Sequence, residues 1–405
     1  MAFTRKRDLR DGKAVWTAYR SPGIRGRRLQ GNTRAEIVIV GAGISGALLA
    51  QGFVAAGTRP LIIERRREAL LGSTAASTAL LQFELDTPLI KLIAARGRQT
   101  AERIWIASRD AVNELRTRTR LLGIDAQLCS RPSLYLAGKV LNAAALKREA
   151  RARQRAGLSS EYLDRRALRH HFGIERAAAL LSHGNAQANP VTLAAGYLRA
   201  AMQGGARLCL PHEIVDLHAT RSGVTLATDN GSEIRARRVV FCTGYEMRRI
   251  IPAALNPIMS TWAMATRRQP AALWPQQAMI WEAADPYLYV RTTEDGRVIC
   301  GGEDEPFADA SRRDALTKTK TARLVSKLTE LFPSLDARAS FAWTGSFGSA
   351  PDGVPSIGAL PGYPNCFAVL GYGGNGITFS MLASTIIVPT VLRRRHRAFN
   401  PFAFR

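Results

Sequence analysis

Cysteine is scarce in this chain. The 405 residues hold five, Cys129, Cys209, Cys242, Cys300 and Cys366, far apart and with neither a CxxC pair nor a Cys/His cluster. That usage fits a reducing cytoplasm and argues against a disulfide framework or a zinc site, so no metal is expected. Long hydrophobic runs are missing too. Every apolar stretch breaks before the roughly 20 residues needed to cross a bilayer, and no apolar stretch follows the basic start "MAFTRKRDLRDGK" to make a secretory signal. Acidic residues are in short supply: 32 Asp and Glu stand against 57 Lys and Arg, a formal charge of +25. Only eight of the basic residues are lysine, and the arginines recur along helical stretches where they form solvated faces. The excess leaves nucleic acid or an anionic membrane surface as alternative partners. No RNA-recognition signature accompanies it.

With 46% hydrophobic residues the chain buries a substantial core. Residues 1–34 are polar, basic and Gly-rich, and read as an arm that is irregular or packed late. "AEIVIV" (35–40) is a continuous β-branched run, the mark of a strand buried on both faces. "GAGISGALLA" follows it directly, and "RPLIIERR" is a second buried strand ending at Glu64. This is a βαβ unit with its glycines between strand and helix. There the backbone can approach a pyrophosphate, and the helix N-terminus offers free N–H groups and a positive dipole end. Glu64 lies 23 residues after Gly41, close to the roughly 20 expected of an acid that accepts hydrogen bonds from ribose hydroxyls. The pattern predicts an adenine dinucleotide.

Helices are expected over about 87–122, within 139–180 and over 310–332, with strands at "PSLYLAG", "EIVDLHAT", "MSTWAMATR", "MIWEA", "YLYVRTT" and "RVICGG". A hairpin is expected around Asn230-Gly231. "VVFCTGYE" reads as a buried strand with a Thr-Gly ending. More than 300 residues beyond the first glycine turn, "GYGGNGITFS" is a second one opening a helix that Pro389 should kink or end. A helix N-terminus aimed at a flavin ring would stabilise charge on the reduced cofactor.

Together these stretches resemble the D-amino acid oxidase family of FAD-dependent oxidoreductases, which includes glycine oxidase and the sarcosine oxidases. The resemblance runs from about Glu36 to Ser384 and is carried by the first glycine turn, "GSTAASTALLQFELDTPL", "FCTGYE" and "GYGGNGITFS". It implies an α/β fold: a Rossmann-like FAD-binding domain from 35–90, 185–255 and 340–390, interleaved with an α+β substrate domain with a mixed antiparallel sheet from 91–184 and 256–339. The tail 391–405 is basic. Matched onto this chain, Gly41, Gly43, Ile44, Ser45 and Gly46 form the pyrophosphate turn, and Glu64 with Arg65 meets the ribose. Ser73, Thr74, Ser77 and Thr78 pass the flavin, Ile214 meets adenine, and Thr243 and Gly244 end the adjacent strand. Gly373, Gly374, Asn375, Gly376, Ile377 and Thr378 face the pyrimidine side.

The resemblance implies hydride transfer from an amine or amino acid CH–N group to flavin N5, giving an imine that hydrolyses. The FAD is expected to be non-covalent, because no Cys or His suits a covalent bond. Strand alternation puts Tyr287, Tyr289 and Arg291 on one face, suited to positioning a substrate carboxylate. Trp281 and Trp343 are candidates for an aromatic wall. Two departures stand out: Thr344 and Gly345 replace an Arg-Pro pair that holds substrate carboxylate, and Ile299 falls where some members keep an oxygen-activating Lys. The electron acceptor is therefore oxygen or another oxidant. A flavoprotein acting on an aminomethyl-modified RNA base, and a non-catalytic FAD-binding protein, are the alternative readings.

Overall fold

A computed structural model describes residues 8–246, 257–392 and 400–404. Its first sheet has a parallel centre, ordered Arg207–Cys209, Leu61–Ile63, Thr33–Val40, Glu233–Phe241 and Cys366–Leu370. The hairpin Ile214–Ala219/Val224–Thr228 and the strand Ser356–Ala359 extend it antiparallel. Ile37 and Ile39 join the core under one face, Val38 and Val40 the core under the other. Burial on both faces explains the unbroken β-branched run. The helix Ile44–Ala55 is buried along nearly its whole length, flanked by the helices Pro190–Gln203 and Gly376–Val391.

Register fixes where the loops emerge. Val40 lies opposite both Ile63 and Phe241, and Phe241 opposite Ala368. Gly41, Glu64 and Cys242 therefore leave the sheet at one level, at its C-terminal edge, where open α/β sheets bind ligands.

The second sheet is mixed, ordered Ala339–Gly348, Ile258–Thr266, Val298–Glu305, Leu288–Thr292, Met279–Glu282, Ser133–Leu136, Ala178–Ser182 and Glu161–Asp164. Only Met279–Glu282 and Ser133–Leu136 run parallel to each other. Trp262, Met264 and Cys300 pack with Leu324 and Leu328 of the helix Thr317–Leu331. A three-stranded sheet joins Leu80–Leu81, Ala186–Gln187 and Cys129–Ser130.

Several expectations need correction. Within 139–180, helices cover only Ala143–Arg155 and Arg165–Phe172, while Glu161–Asp164 and Ala178–Ser182 are strands. The strand Ala339–Gly348 lies in the second sheet although the boundary at 340 assigned it to the cofactor unit. The arm is not loose over residues 8–32. Lys13 N donates to Ala342 O at 2.9 Å and Thr344 N to Asp11 O at 2.9 Å, adding the arm to that strand's edge, and Arg27 N reaches Leu208 O at 2.9 Å. Pro389 lies inside the last turn of its helix, which continues to Val391. At the tail, Ile357 N donates to Phe402 O and Phe402 is buried; the basic run 393–397 lies outside the described residues. Among the described residues no helix is long and apolar enough to cross a membrane.

Candidate active site

The first glycine turn is shaped by contacts only glycine permits. Gly41 has φ +107°, and a Cβ there would sit 2.5 Å from Cys242 O. A Cβ on Gly46 would meet Gly41 O at 1.9 Å, so helix and turn touch backbone to backbone. Glu64, nearly buried, accepts from Ala42 N with one oxygen and from Arg66 N with the other, both at 2.9 Å. Ile44 N donates to Thr74 Oγ1 at 3.0 Å, tying the helix start to the 73–78 loop.

The second glycine turn closes onto the first. Ser45 Oγ lies 2.7 Å from Ser380 Oγ and 3.0 Å from Tyr372 Oη. Three further bonds clamp the turn to the segment 82–86: Thr378 Oγ1 to Gln82 O at 2.9 Å, Asn375 Nδ2 to Glu84 O at 2.6 Å, and Gly374 N to Asp86 Oδ2 at 3.0 Å. The N–H groups of Gly376, Ile377 and Thr378 form the open first turn of the last helix.

One elongated cleft of about 1730 Å³, counted out to its mouth, runs between these turns and the second sheet. Gly41, Gly43, Ile44 and Ser45 line it, with Glu64, Arg65, Ser73, Thr74, Ser77, Thr78, Ile214, Thr243, Gly244, Gly373, Gly374, Asn375, Gly376 and Ile377. Gly46 and Thr378 do not; they brace the two turns from behind. Tyr287, Tyr289, Trp281, Thr261 and Asp304 form the opposing roof. Thr243 Oγ1, Arg65 Nη1, Gln82 Nε2, Trp281 Nε1 and Asp304 Oδ1 are buried polar atoms without a partner among the described residues. Unpaired polar groups of this kind ask for a ligand.

A family model described as "FAD dependent oxidoreductase" matches residues 36–388. The chain belongs to this family of FAD-dependent oxidoreductases. It is 26% identical to glycine oxidase of Geobacillus kaustophilus over 385 residues, 91% of this chain and 96% of that one. It is 22% identical to an opine oxidase component of Rhizobium meliloti over 368 residues, 88% and 93% of the two chains. In fold it resembles the crystal structure of the Geobacillus kaustophilus glycine oxidase, with TM-score 0.73, 23% identity, and 92% of this chain and 98% of that one covered. It also resembles L-proline dehydrogenase from P. horikoshii, with TM-score 0.75, 17% identity, and 90% and 95% covered.

The cofactor of such an FAD-dependent enzyme suits what the cleft offers: a glycine cradle that a single Cβ would fill, an acid fixed beside it, and orphaned donors and acceptors along its length. Cys242 is buried against the core at the strand end, and burial pushes its thiol well up, away from the nucleophilic thiolate form.

Two residues expected at the substrate are not brought to the cleft. Arg291 shares a strand face with Tyr289 but lies two residues, about 7 Å, farther along. It is buried over the Trp16 ring, 5.2 Å from guanidinium carbon to centroid, and donates to Ala188 O at 3.0 Å. Burial without a carboxylate partner lowers it to about 9. Trp343 donates its indole N–H to Ala76 O at 2.9 Å and Trp16 to Ser77 O at 2.7 Å, so both support the 73–78 loop from beneath. Ile299 packs with these tryptophans and does not line the cleft. Thr344 turns its hydroxyl to Asp314 at 2.9 Å, leaving Gly345 on the wall.

Sequence reasoning missed Asp86 and Asp304. Asp86 opens to the cleft but is enclosed by protein otherwise, and desolvation raises it despite the bond from Gly374 N. Desolvation raises Asp304 to about 7, opposed by a hydrogen bond with Thr261. Desolvation first, then Asp86 and Asp304, lift Tyr287 far above its ordinary value, so its hydroxyl stays protonated. A β-bulge aims Asp304. Gly302 has φ +134° and Glu303 +59°, and the pairing with Ile258–Thr266 slips between Ser260 and Trp262. Glu303, which simple alternation from Gly301 would turn into the cleft, instead pairs with Lys320, Arg323 and Lys327.

Proposed function

We propose that this enzyme oxidises the CH–NH or CH–NH₂ group of a small amine or amino acid to an imine, which water then converts to a carbonyl compound and ammonia or an amine. The observation that carries the reading is the Ser45–Ser380–Tyr372 link, which joins two glycine turns over one cleft roofed by Tyr287 and Tyr289. FAD held there non-covalently supplies the acceptor for the hydride leaving the substrate's α carbon.

The chain's own residues provide binding and order. Gly41, Gly43, Ile44 and Ser45 present the turn and helix N-terminus to the pyrophosphate, and Glu64 with Arg65 faces the ribose. Ser73, Thr74, Ser77 and Thr78 would hold the flavin together with Thr243 and Gly244, and Gly373–Ile377 would offer it backbone N–H groups. Ile214 lines the adenine end. Tyr289 lines the cleft together with Thr78 of the ring loop and Thr261 of the second sheet, so that a substrate there would meet both units. The division into a cofactor unit (35–90, 185–255, 340–390) and a substrate unit (91–184, 256–339) follows this assignment, with residues 340–348 moved to the substrate side.

The test is direct. Purified protein carries FAD that heat or acid releases intact, and under anaerobic conditions a panel of amines, N-methyl amino acids and D- and L-amino acids contains a compound that bleaches it. A colourless protein, or bleaching by none of them, refutes the reading.

A further inference from the structure

We propose that the roofed end of the cleft recognises a cationic alkylamine with no carboxylate beside the reacting nitrogen, with Asp304 and Asp86 as counter-charges and the Tyr287, Tyr289 and Trp281 rings around its carbon chain. The inference rests on the amine reading above and names its substrate class.

The charge inventory is one-sided. Among the described residues that line the cleft, Arg65 and Arg66 are the only Lys or Arg, and both pair with Glu246 beside the first glycine turn. At the roofed end the charged residues are Glu84, Asp86 and Asp304. Arg153 lies 3.6 Å from Glu84 and 2.8 Å from Glu149, one buried cation shared between two buried acids. Among the described residues Asp86 and Asp304 have no cation of this kind at hydrogen-bond distance; Asp86 receives one backbone N–H, and Asp304 Oδ1 is buried without a partner. An ionised Asp304 so placed is costly until a cation joins it, while Asp86 is exposed to the cleft and open to the same cation. The raised protonation of both groups has that origin.

Two further observations point to the same ligand. Trp281 is 5% exposed, stacks on Tyr135 at 3.8 Å and borders the cleft as a third aromatic ring of the roof. Tyr287 and Tyr289 lie with ring centroids 5.7 Å apart, a surface that attracts an ammonium through its ring faces. The wall position Gly345 contributes no side chain, so nothing among the described residues there meets a substrate carboxylate, while Asp86 and Asp304 repel one. The bulge is the structural investment in this chemistry, since it brings an acid with no cation partner among the described residues into the cleft in place of one with three cations.

The experiment uses the FAD-loaded enzyme and two readouts. In the first, tetramethylammonium, which has no lone pair to be oxidised, is titrated against the bound-flavin absorbance, with acetate as the opposite-charge probe. The ammonium is expected to perturb the spectrum and acetate to have no effect. Asp304→Asn and Asp86→Asn are each expected to weaken the ammonium tenfold or more, and Asp304→Glu to weaken it less than Asp304→Asn. In the second, anaerobic flavin reduction by 1,4-diaminobutane is compared with reduction by ornithine, which differs by one carboxylate. Reduction at least tenfold faster by the diamine supports the proposal; equal or faster reduction by ornithine, or tetramethylammonium binding unchanged in both Asn variants, overturns it. If neither compound reduces a flavin that dithionite reduces, the amine chemistry is refuted for this pair, and the ammonium titration alone decides the pocket's charge preference.

Discussion

Gly46→Ala isolates the contact on which the cofactor turn depends. Position 46 lies within the helix Ile44–Ala55, where alanine ordinarily gains up to about 1 kcal/mol over glycine. Its Cβ, however, would stand 1.9 Å from Gly41 O, and real Cβ atoms essentially never come within 3.0 Å. The difference, 3.0 − 1.9 = 1.1 Å, is the least the turn must move, and backbone rather than a flexible side chain has to move it. Overpacking of this kind costs about 1–3 kcal/mol, which exceeds or cancels the helix gain. Fold stability therefore falls by no more than about 2 kcal/mol, whereas a displacement near 1 Å at a positioning element costs about 10²-fold. The assay is FAD affinity from recovery of quenched flavin fluorescence on the apoprotein, paired with urea unfolding. A variant that melts higher than wild type and binds FAD as tightly would refute the contact argument.

The other predictions concern the roof and its supports. Arg291→Met leaves KM for the reducing amine within about twofold, because Arg291 lies under Trp16 and not in the cleft; a large rise in KM in steady-state assays would restore it to the site. Trp16→Ala removes a buried ring, the cation–π partner of Arg291 and the donor to Ser77 O; it lowers unfolding free energy by about 3–5 kcal/mol, read by denaturant titration, and speeds FAD release. Asp304 titrates at about 7 and is neutral below that, so it holds a cation only above it. Asp86 and Asp285 push its titration up, while Thr261 and Lys320 pull it down. kcat/KM for a cationic amine therefore rises with pH through about 7, and Asp304→Asn flattens that limb; an unchanged profile in the variant refutes the assignment.

What the sequence made legible was local. The strand–glycine–helix unit announces itself because burial on both faces demands "IVIV" and backbone contact demands Gly41 and Gly46, all within a dozen residues. The second turn was legible for the same reason. The roof was half legible: alternation put Tyr287, Tyr289 and Arg291 on one face correctly, but no periodicity states where a cleft ends along a strand. Asp304 depended on a bulge whose only trace is the Gly301-Gly302 pair inside a strand run. Asp86 acquires its role from Gly374, 288 residues away, a distance no local pattern spans. The strand Ala178–Ser182 overlaps the end of the helix expected to 180, because four apolar residues and a serine do not reveal a period. The arm's place of packing is not legible, because polar, basic residues conceal the backbone pairing of Asp11 and Lys13 and the anchor at Trp16.

The Ser45–Ser380 link spans 335 residues, and the parallel sheet takes its strand Cys366–Leu370 from the same late stretch. A nascent chain leaving the ribosome therefore carries an unfinished phosphate cradle until nearly all of it has been translated. Contacts so distant in sequence also close slowly.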